Sequence, residues 1–210
     1  QNVQITVFAG NHGVTARGIS AFPAEVTVQM VGNFRQGGAA INQLAQAFGA
    51  SLDVVALELE RPTQDFCAGP AMSEAELITA LLAGWNAVPA GADLFIAGEM
   101  GIGNTTPATV LIGTITRREP VEIVGRGTGI DDTGWMRKTA AIRDGMRRAR
   151  SVTHDPLALL AAVGGADLTA VAGFLAQAAV RRTPVILDGV VIAAAALVAM
   201  LVCIRVERPI

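Results

Sequence analysis

The alternation of short apolar, β-rich runs with helical runs is the feature that most limits the folds open to this chain. Strands are predicted over residues 3–9, 52–59, 92–97, 121–124 and 183–187. Most of these runs are apolar on both faces, which is typical of parallel strands covered by helices on each side. The pattern therefore predicts an α/β fold with a doubly wound, mainly parallel, Rossmann-like sheet and helices on both of its faces.

Helical segments occupy the intervals between these strands. They are predicted over 23–35, 39–48, 73–87, 106–116 and 190–204, from Asp132 or Thr133 to 150, and from starts at Asp155 and Asp167. Ser73 and Glu76 have the spacing of a capping box, which marks the beginning of a helix. Because no repeat or low-complexity linker interrupts the 210 residues, we expect one α/β domain over residues 1–210.

Composition and charge exclude several classes of protein. With 51% hydrophobic and 16% charged residues, the chain is not expected to be disordered. Its net charge of −2 disfavours a nucleic-acid partner. The run 185–204 is almost wholly apolar, but Asp188 and Gly189 divide it into pieces too short to span a membrane. Cys67 and Cys203 lack metal-binding spacing, and we expect neither a metal ion nor another cofactor.

The loop after the third predicted strand has the composition of a phosphate-binding turn. Residues 98–107 read GEMGIGNTTP and lead directly into a helix. Their spacing resembles that of a P-loop, but Asn104 stands where the lysine should be, so a monophosphate is a better ligand than ATP or GTP. The alternative is a glycine-rich turn in which Asn104, Thr105 and Thr106 only cap the helix. In this alternative, Glu99 has no obvious structural purpose, which favours the phosphate-binding interpretation.

Two further loops and one carboxylate fall at the same edge of the predicted sheet. Residues 125–132 read GRGTGIDD and could cover a ligand, with Lys138 supplying a positive charge; equally, they could be a flexible turn with Lys138 in solvent. His12, after the first strand, is open to three interpretations: acid or base, ligand contact, or structural histidine. Asp188 ends the last strand and is either a site residue or a helix cap.

Six segments of the chain together resemble one enzyme family. They are VFAGNHGV at 7–14, RQGGAAIN at 35–42, GEMGIGNTTP at 98–107, GRGTG at 125–129, VGG at 163–165 and LDG at 187–189. In this order, and over nearly the whole chain, they are similar to the nicotinate-nucleotide:dimethylbenzimidazole phosphoribosyltransferases. The resemblance implies a cytoplasmic homodimer that converts nicotinate mononucleotide and 5,6-dimethylbenzimidazole into α-ribazole 5′-phosphate and nicotinate, a step of cobalamin assembly.

The resemblance also implies roles for particular residues. It assigns Gly101, Gly103, Asn104 and Thr105 to the phosphate-binding turn, Lys138 to the nucleotide phosphate, Glu99 to the ribose hydroxyls, and Phe22 and Met30 to the benzimidazole pocket. Asp188 falls at a carboxylate beside the site. Glu99 and Asp188 are therefore the candidate catalytic residues of this chain.

The chain departs from the family pattern in two respects. Asn11 stands where members usually have aspartate. Members also continue past the position of Ile210 with a glutamate that acts as the general base, and with part of a small helical domain. We therefore expect a fragment with that domain mostly absent, which binds the nucleotide but is inactive alone. Two alternatives remain: a catalytically silent nucleotide-binding or dimerisation module derived from the enzyme, and a phosphate-binding α/β enzyme of another reaction.

Overall fold

A four-stranded parallel sheet lies at the centre of the computed structural model, which describes residues 2–207, with side chains up to Ile204. The strands are β1 (Val3–Ala9), β2 (Ser51–Ala56), β3 (Leu94–Met100) and β4 (Val185–Ile186), in the spatial order β2-β1-β3-β4. In this register, Phe8 of β1 lies beside Val55 of β2 and Glu99 of β3. The predicted parallel sheet is confirmed, and the first strand has its predicted limits.

Helices fill the intervals between the strands, with five of them between β3 and β4, and they mostly begin near their predicted starts. They are α1 (Glu25–Arg35), α2 (Ala40–Phe48), α3 (Glu74–Asn86), α4 (Thr105–Thr116), α5 (Pro120–Ile123), α6 (Asp132–Ala149), α7 (Pro156–Val163), α8 (Ala166–Val180) and α9 (Val190–Glu207). The capping box before α3 is present: Ser73 Oγ accepts from the Glu76 N–H, and a Glu76 oxygen accepts from the Ser73 N–H. A 3₁₀ helix, Gly13–Arg17, follows β1.

Three local predictions were wrong. Residues 121–124 are not a strand; Pro120 is the first residue of α5, a position that suits its fixed φ, and Val121 is 63% exposed. The cap of α6 is Asp131, whose carboxylate accepts the Gly134 N–H at 2.7 Å. Asp167 does not start α8 as a cap, because it lies inside the first turn of that helix.

Helices cover both faces of the sheet, as the doubly wound arrangement requires. Neighbouring residues of a strand point to opposite faces. On one face, Val7 packs with Phe34 of α1 in a small apolar cluster. On the other face, the ring centroids of Phe8 and of Phe174 in α8 lie 5.5 Å apart. The larger core lies on the α8 side, where α9 also contacts β3.

Helices α3 and α8 approach each other closely enough to require glycine. A Cβ atom on Gly84 of α3 would lie 1.7 Å from the Ala170 carbonyl oxygen, and one on Gly173 of α8 would lie 2.2 Å from the Leu81 carbonyl oxygen. The two glycines therefore fix the position of α8, whose first turn carries Asp167 to the edge of the sheet. No helix within residues 2–207 is both long enough and apolar enough to cross a membrane.

Candidate functional site

The candidate site lies at the carboxyl ends of β1 and β3, where the direction of strand progression reverses. Open parallel sheets bind ligands at such switch points. The loops that leave the two strands meet there, since the Gly10 N–H donates to the Met100 carbonyl oxygen at 3.0 Å. The sheet order thus brings together the first two loops that the sequence singled out.

Four polar side chains form a connected group at this point, here named the switch-point cluster: His12, Asp167, Asn104 and Glu99. The His12 Nε2 atom lies 3.1 and 3.2 Å from the two carboxylate oxygens of Asp167. Asn104 Nδ2 donates to Asp167 Oδ2 at 3.1 Å and also to Glu99 Oε2. Because His12 and Asp167 are 1% and 0% exposed, the group is held inside the protein.

Strand periodicity and close packing place the members of the cluster. Along β3, Phe95 and Ala97 point into the α8 side of the core, and two residues further Glu99 points to the same side. Glycines leave the space that the buried groups need: a Cβ atom on Gly101 would lie 2.8 Å from Asp167 Oδ2, and one on Gly165 would lie 2.3 Å from His12 Cε1. Substitution at either glycine would therefore displace the cluster.

The Glu99 carboxyl group is poised to exchange a proton near neutral pH. Burial, and then the negative charge of Asp167, raise its pKa from 4.5 to about 7. The hydrogen bond from Asn104 and the charge of His12 act in the opposite direction and limit the increase. Perturbed carboxyl groups in a cleft are typical of functional sites.

A buried cation lies beside the beginning of α4. Lys138 of α6 is 1% exposed, and its Nζ atom donates to Thr105 Oγ1 at 2.7 Å. Among the residues that the structure describes, no carboxylate lies within ion-pair distance of it. Burial lowers the pKa of Lys138 from 10.5 to about 8. Lys138 is thus buried rather than solvated, and its hydrogen-bond partner is an uncharged hydroxyl group.

The first turn of α4 is left without a side-chain cap. Asn104 occupies the cap position, but its backbone is already helical and its side chain makes no cap hydrogen bond, because it is directed toward Glu99 and Asp167. Backbone N–H groups at the beginning of a helix attract anions when no side chain satisfies them. An uncapped helix N-terminus and the Lys138 ammonium group therefore lie on the same side of the turn.

The glycines of this turn have packing reasons of their own. Gly103 has a φ of +86°, and a Cβ atom there would lie 2.6 Å from Thr15 Cγ2 in the 3₁₀ helix. A Cβ atom on Gly101 would lie 2.6 Å from the Gly10 carbonyl oxygen. These contacts would require glycine even without a ligand, and the assignment of both residues to a phosphate remains a prediction.

The loop 125–129 is tied to the segment that follows the 3₁₀ helix. Thr128 Oγ1 accepts the Ala21 N–H at 2.8 Å and lies 3.0 Å from Ser20 Oγ. Gly127 of this loop passes close to Lys138, since a Cβ atom there would lie 2.8 Å from Nζ. The loop therefore lies beside Lys138 and holds the segment that leads to Phe22.

Three of the predicted site residues stand apart from this constellation. Phe22 is 53% exposed, and Met30 packs in the small apolar cluster that contains Val7. Asp188 follows β4 and is exposed, and no hydrogen bond in the described part of the chain joins it to the switch-point cluster. The roles of these three residues remain predictions.

Sequence reasoning missed Asp167 as a site residue and left His12 undecided. Asp167 lies 155 positions from His12 along the chain, and as a helix-start signal it offered no hint of a polar partner. Asn11, which stands where family members usually have aspartate, makes a hydrogen bond within the fold: its Nδ2 atom donates to the Leu59 carbonyl oxygen at 2.9 Å. An aspartate could not donate that bond. Within the described residues, no group of three or more potential ligands is arranged to hold a metal ion.

Curated proteins that share one enzyme name are similar to most of this chain. The curated nicotinate-nucleotide–dimethylbenzimidazole phosphoribosyltransferase of Ruegeria sp. (strain TM1040) is 57% identical over 193 residues, which are 92% of this chain and 57% of that protein. The enzyme of the same name from Mycobacterium marinum is 51% identical over 217 residues, covering 95% of this chain and 61% of the relative. The chain thus spans about three fifths of the length of these relatives.

Solved structures extend the similarity to the fold. The crystal structure of CobT from Thermus thermophilus has a TM-score of 0.88 and 38% identity, over 96% of this chain and 66% of that one. A second structure from the same organism, a nicotinate-nucleotide–dimethylbenzimidazole phosphoribosyltransferase, has a TM-score of 0.90 and 36% identity, over 99% and 67%. A family model described as "Phosphoribosyltransferase" matches residues 1–209. The chain therefore belongs to this phosphoribosyltransferase family.

Proposed function

We propose that residues 1–210 act as one nucleotide-binding domain of a nicotinate-nucleotide–dimethylbenzimidazole phosphoribosyltransferase, a pentosyltransferase of cobalamin synthesis. The reaction breaks the bond between ribose C1′ and the nitrogen of nicotinate, and forms a bond between C1′ and a benzimidazole nitrogen, which loses its proton. The single observation that carries the proposal is the buried Lys138 ammonium group, which has a neutral hydrogen-bond partner and no counter-ion among the described residues.

A phosphate group would complete the surroundings of Lys138. A buried ammonium ion costs several kcal/mol unless an opposite charge accompanies it. The nucleotide phosphate, placed between Lys138 and the first turn of α4, would supply that charge and accept a hydrogen bond from the Thr105 N–H, because the Thr106 N–H already donates to the Gly103 carbonyl oxygen and Pro107 has no N–H. The turn formed by Gly101, Gly103 and Asn104 would then border the phosphate.

Glu99 would act at the sugar end of the same nucleotide. When the bond to the pyridinium nitrogen breaks, its electron pair neutralises the departing ring, and C1′ gains positive charge. An ionised Glu99 close to the ribose would stabilise that charge and accept hydrogen bonds from the hydroxyl groups. Because its pKa is about 7, a cationic pyridinium nucleotide would favour the ionised form on binding.

The acceptor side is proposed from the resemblance. The flat, apolar benzimidazole would lie near Phe22 and Met30, and it would attack C1′ from the face opposite to the departing nicotinate. Asp188 is the second carboxylate of this chain that could assist. The resemblance also supports a homodimer in the cytoplasm. Light scattering of the purified protein would test the dimer directly.

Calorimetric titration with nicotinate mononucleotide tests the phosphate assignment. We expect the mononucleotide to bind, and Lys138→Met to weaken it about 10- to 100-fold, the range for a lost hydrogen bond to a charged group. Arg181→Met is the matched control, because Arg181 is exposed at the end of α8. The nucleoside without phosphate should bind weakly to every variant. Equal affinity for nucleotide and nucleoside, or an unchanged affinity in Lys138→Met, would contradict the proposal.

A further inference from the structure

A cavity of about 300 Å³ lies at the end of α4 that is remote from Thr105. The twelve residues of α4 separate it from the switch-point cluster by about 18 Å, at about 1.5 Å of rise per residue. The cavity opens between the end of α4, the start of α5 and the second half of α6. Five arginines line it, and we call it the arginine groove: Arg117, Arg118, Arg143, Arg147 and Arg150.

Positive charge in the arginine groove exceeds the negative charge available to it. A guanidinium nitrogen of Arg118 lies 3.7 Å from a carboxylate oxygen of Glu122. One carboxylate oxygen of Asp144 lies 3.8 Å from a guanidinium nitrogen of Arg143 and also 3.8 Å from one of Arg147. These pairs are long and largely exposed, so they hold the guanidinium groups only weakly. Within the described residues, Arg117 and Arg150 have no ion-pair partner, and the remaining carboxylate in the lining is that of Glu119.

The floor of the arginine groove contains a hydroxyl group without a partner. Thr114 Oγ1 is buried, and no hydrogen-bond partner reaches it in the part of the chain that the structure describes. Buried polar atoms are rarely left in this condition, because each costs about 1 to 3 kcal/mol. Because this oxygen is closed off from the groove, it belongs to the packing beneath the groove and not to the surface that a ligand would contact.

The backbone at Arg117 adds an independent observation. Arg117 follows the last residue of α4 with a φ of +58°, in the left-handed region that usually selects glycine at this place. A side chain there costs about 1 kcal/mol or more. The negative end of the α4 dipole favours an arginine near it. That attraction alone does not explain why Arg117 has a left-handed backbone, or why five arginines line one cavity.

We propose that the arginine groove binds a diphosphate group, either as free pyrophosphate or as part of a nucleoside diphosphate. Guanidinium groups bind phosphate oxygens in pairs of parallel hydrogen bonds, which a ring of arginines can offer from several sides. The excess positive charge matches an anion with two or more negative charges. The apolar side chains of Met146 and Pro120 in the same lining would accept the remainder of a larger ligand.

Isothermal titration with sodium pyrophosphate at low salt tests the proposal. Every protein in this titration carries Lys138→Met, so that binding of pyrophosphate near the first turn of α4 does not contribute. The groove variant is Arg117→Ala/Arg150→Ala. Its matched control is Arg181→Ala/Arg182→Ala, which removes two exposed arginines of which one, Arg182, also has a left-handed backbone with a φ of +54°. Circular dichroism checks that all variants are folded.

We expect one pyrophosphate per chain, at least a tenfold loss of affinity in the groove variant, and a change of less than twofold in the control. A parallel titration with ADP distinguishes the two sources, because a nucleoside diphosphate site should bind ADP more tightly than pyrophosphate. Equal losses in the groove variant and its control would show binding to general positive charge only and would overturn the proposal, as would the absence of binding.

Discussion

Replacing Glu99 by glutamine removes a carboxyl group that the fold holds in an unusual protonation state. Burial and the charge of Asp167 raise the pKa of Glu99 to about 7, compared with 4.5 for an ordinary glutamate. Glutamine has nearly the same shape, and its side-chain oxygen can still accept the hydrogen bond from Asn104. The substitution therefore changes the titration of this position while it retains the packing.

The sign and size of the effect follow from the raised pKa. Since the folded state binds the proton of Glu99 more tightly than the unfolded state does, the free energy of unfolding decreases as the pH rises from 4.5 to about 7. One pKa unit corresponds to about 1.36 kcal/mol, so the loss between pH 5 and pH 8 is about 2 to 3 kcal/mol. Glu99→Gln should lack this contribution and should be the more stable protein at pH 8.

Urea unfolding followed by circular dichroism at pH 5 and pH 8 measures the difference. Because other groups also titrate in this range, the comparison is between proteins: the wild type should lose about 2 to 3 kcal/mol more than Glu99→Gln does. Glu60→Gln, which removes an exposed carboxylate, should behave like the wild type. An identical pH dependence in the wild type and Glu99→Gln would refute the electrostatic interpretation of the switch-point cluster.

Three further predictions test other parts of the structure. Lys138→Met should raise the free energy of unfolding at pH 7, because it removes a buried ammonium group whose pKa is lowered to about 8. This gain in stability should shrink as the pH approaches 10.5, and urea unfolding at pH 7 and pH 10 would measure the change. Asp167→Asn should lower the free energy of unfolding by about 1 to 3 kcal/mol at pH 7, since it weakens the bond to buried His12; urea unfolding that matches the wild type would contradict this. Gly84→Ala should lower the free energy of unfolding by more than about 2 kcal/mol, because its Cβ atom would collide with the backbone of α8. Gly32→Ala, which adds a methyl group in open space on α1, should raise it by about 0.5 to 1 kcal/mol. Thermal melting of the two variants measures the difference.

The sequence was sufficient to predict most of the elements and the edge of the sheet at which the candidate site lies. Strands that are apolar on both faces indicated a sheet between two layers of helices, and the β1 limits agree residue for residue. The failure at 121–124 has a local cause, because a short apolar run next to Pro120 can begin a helix as readily as it can form a strand. Glu99 and Lys138 were identifiable since each lies in or after a glycine-rich loop that follows the sheet.

Other features required the folded chain. Whether Lys138 is solvated or buried depends on the path of the loop through Gly127, which the spacing along the sequence leaves open. The pairing of Asp167 with His12 depends on the position of α8, and that position depends on its close contact with α3. The five arginines of the groove lie around one cavity only because α4 and α6 converge near Thr114.

The division between the two kinds of information has a physical reason. Periodicity, caps and turn residues act over a few positions, so the sequence by itself determined where most strands and helices form and which of their faces are apolar. The surroundings of a charge are set by groups that approach from distant parts of the chain, and these surroundings fix its pKa and its partners. The tertiary structure alone therefore decided that Glu99 shares Asn104 with a second carboxylate and that Lys138 lacks a counter-ion among the described residues.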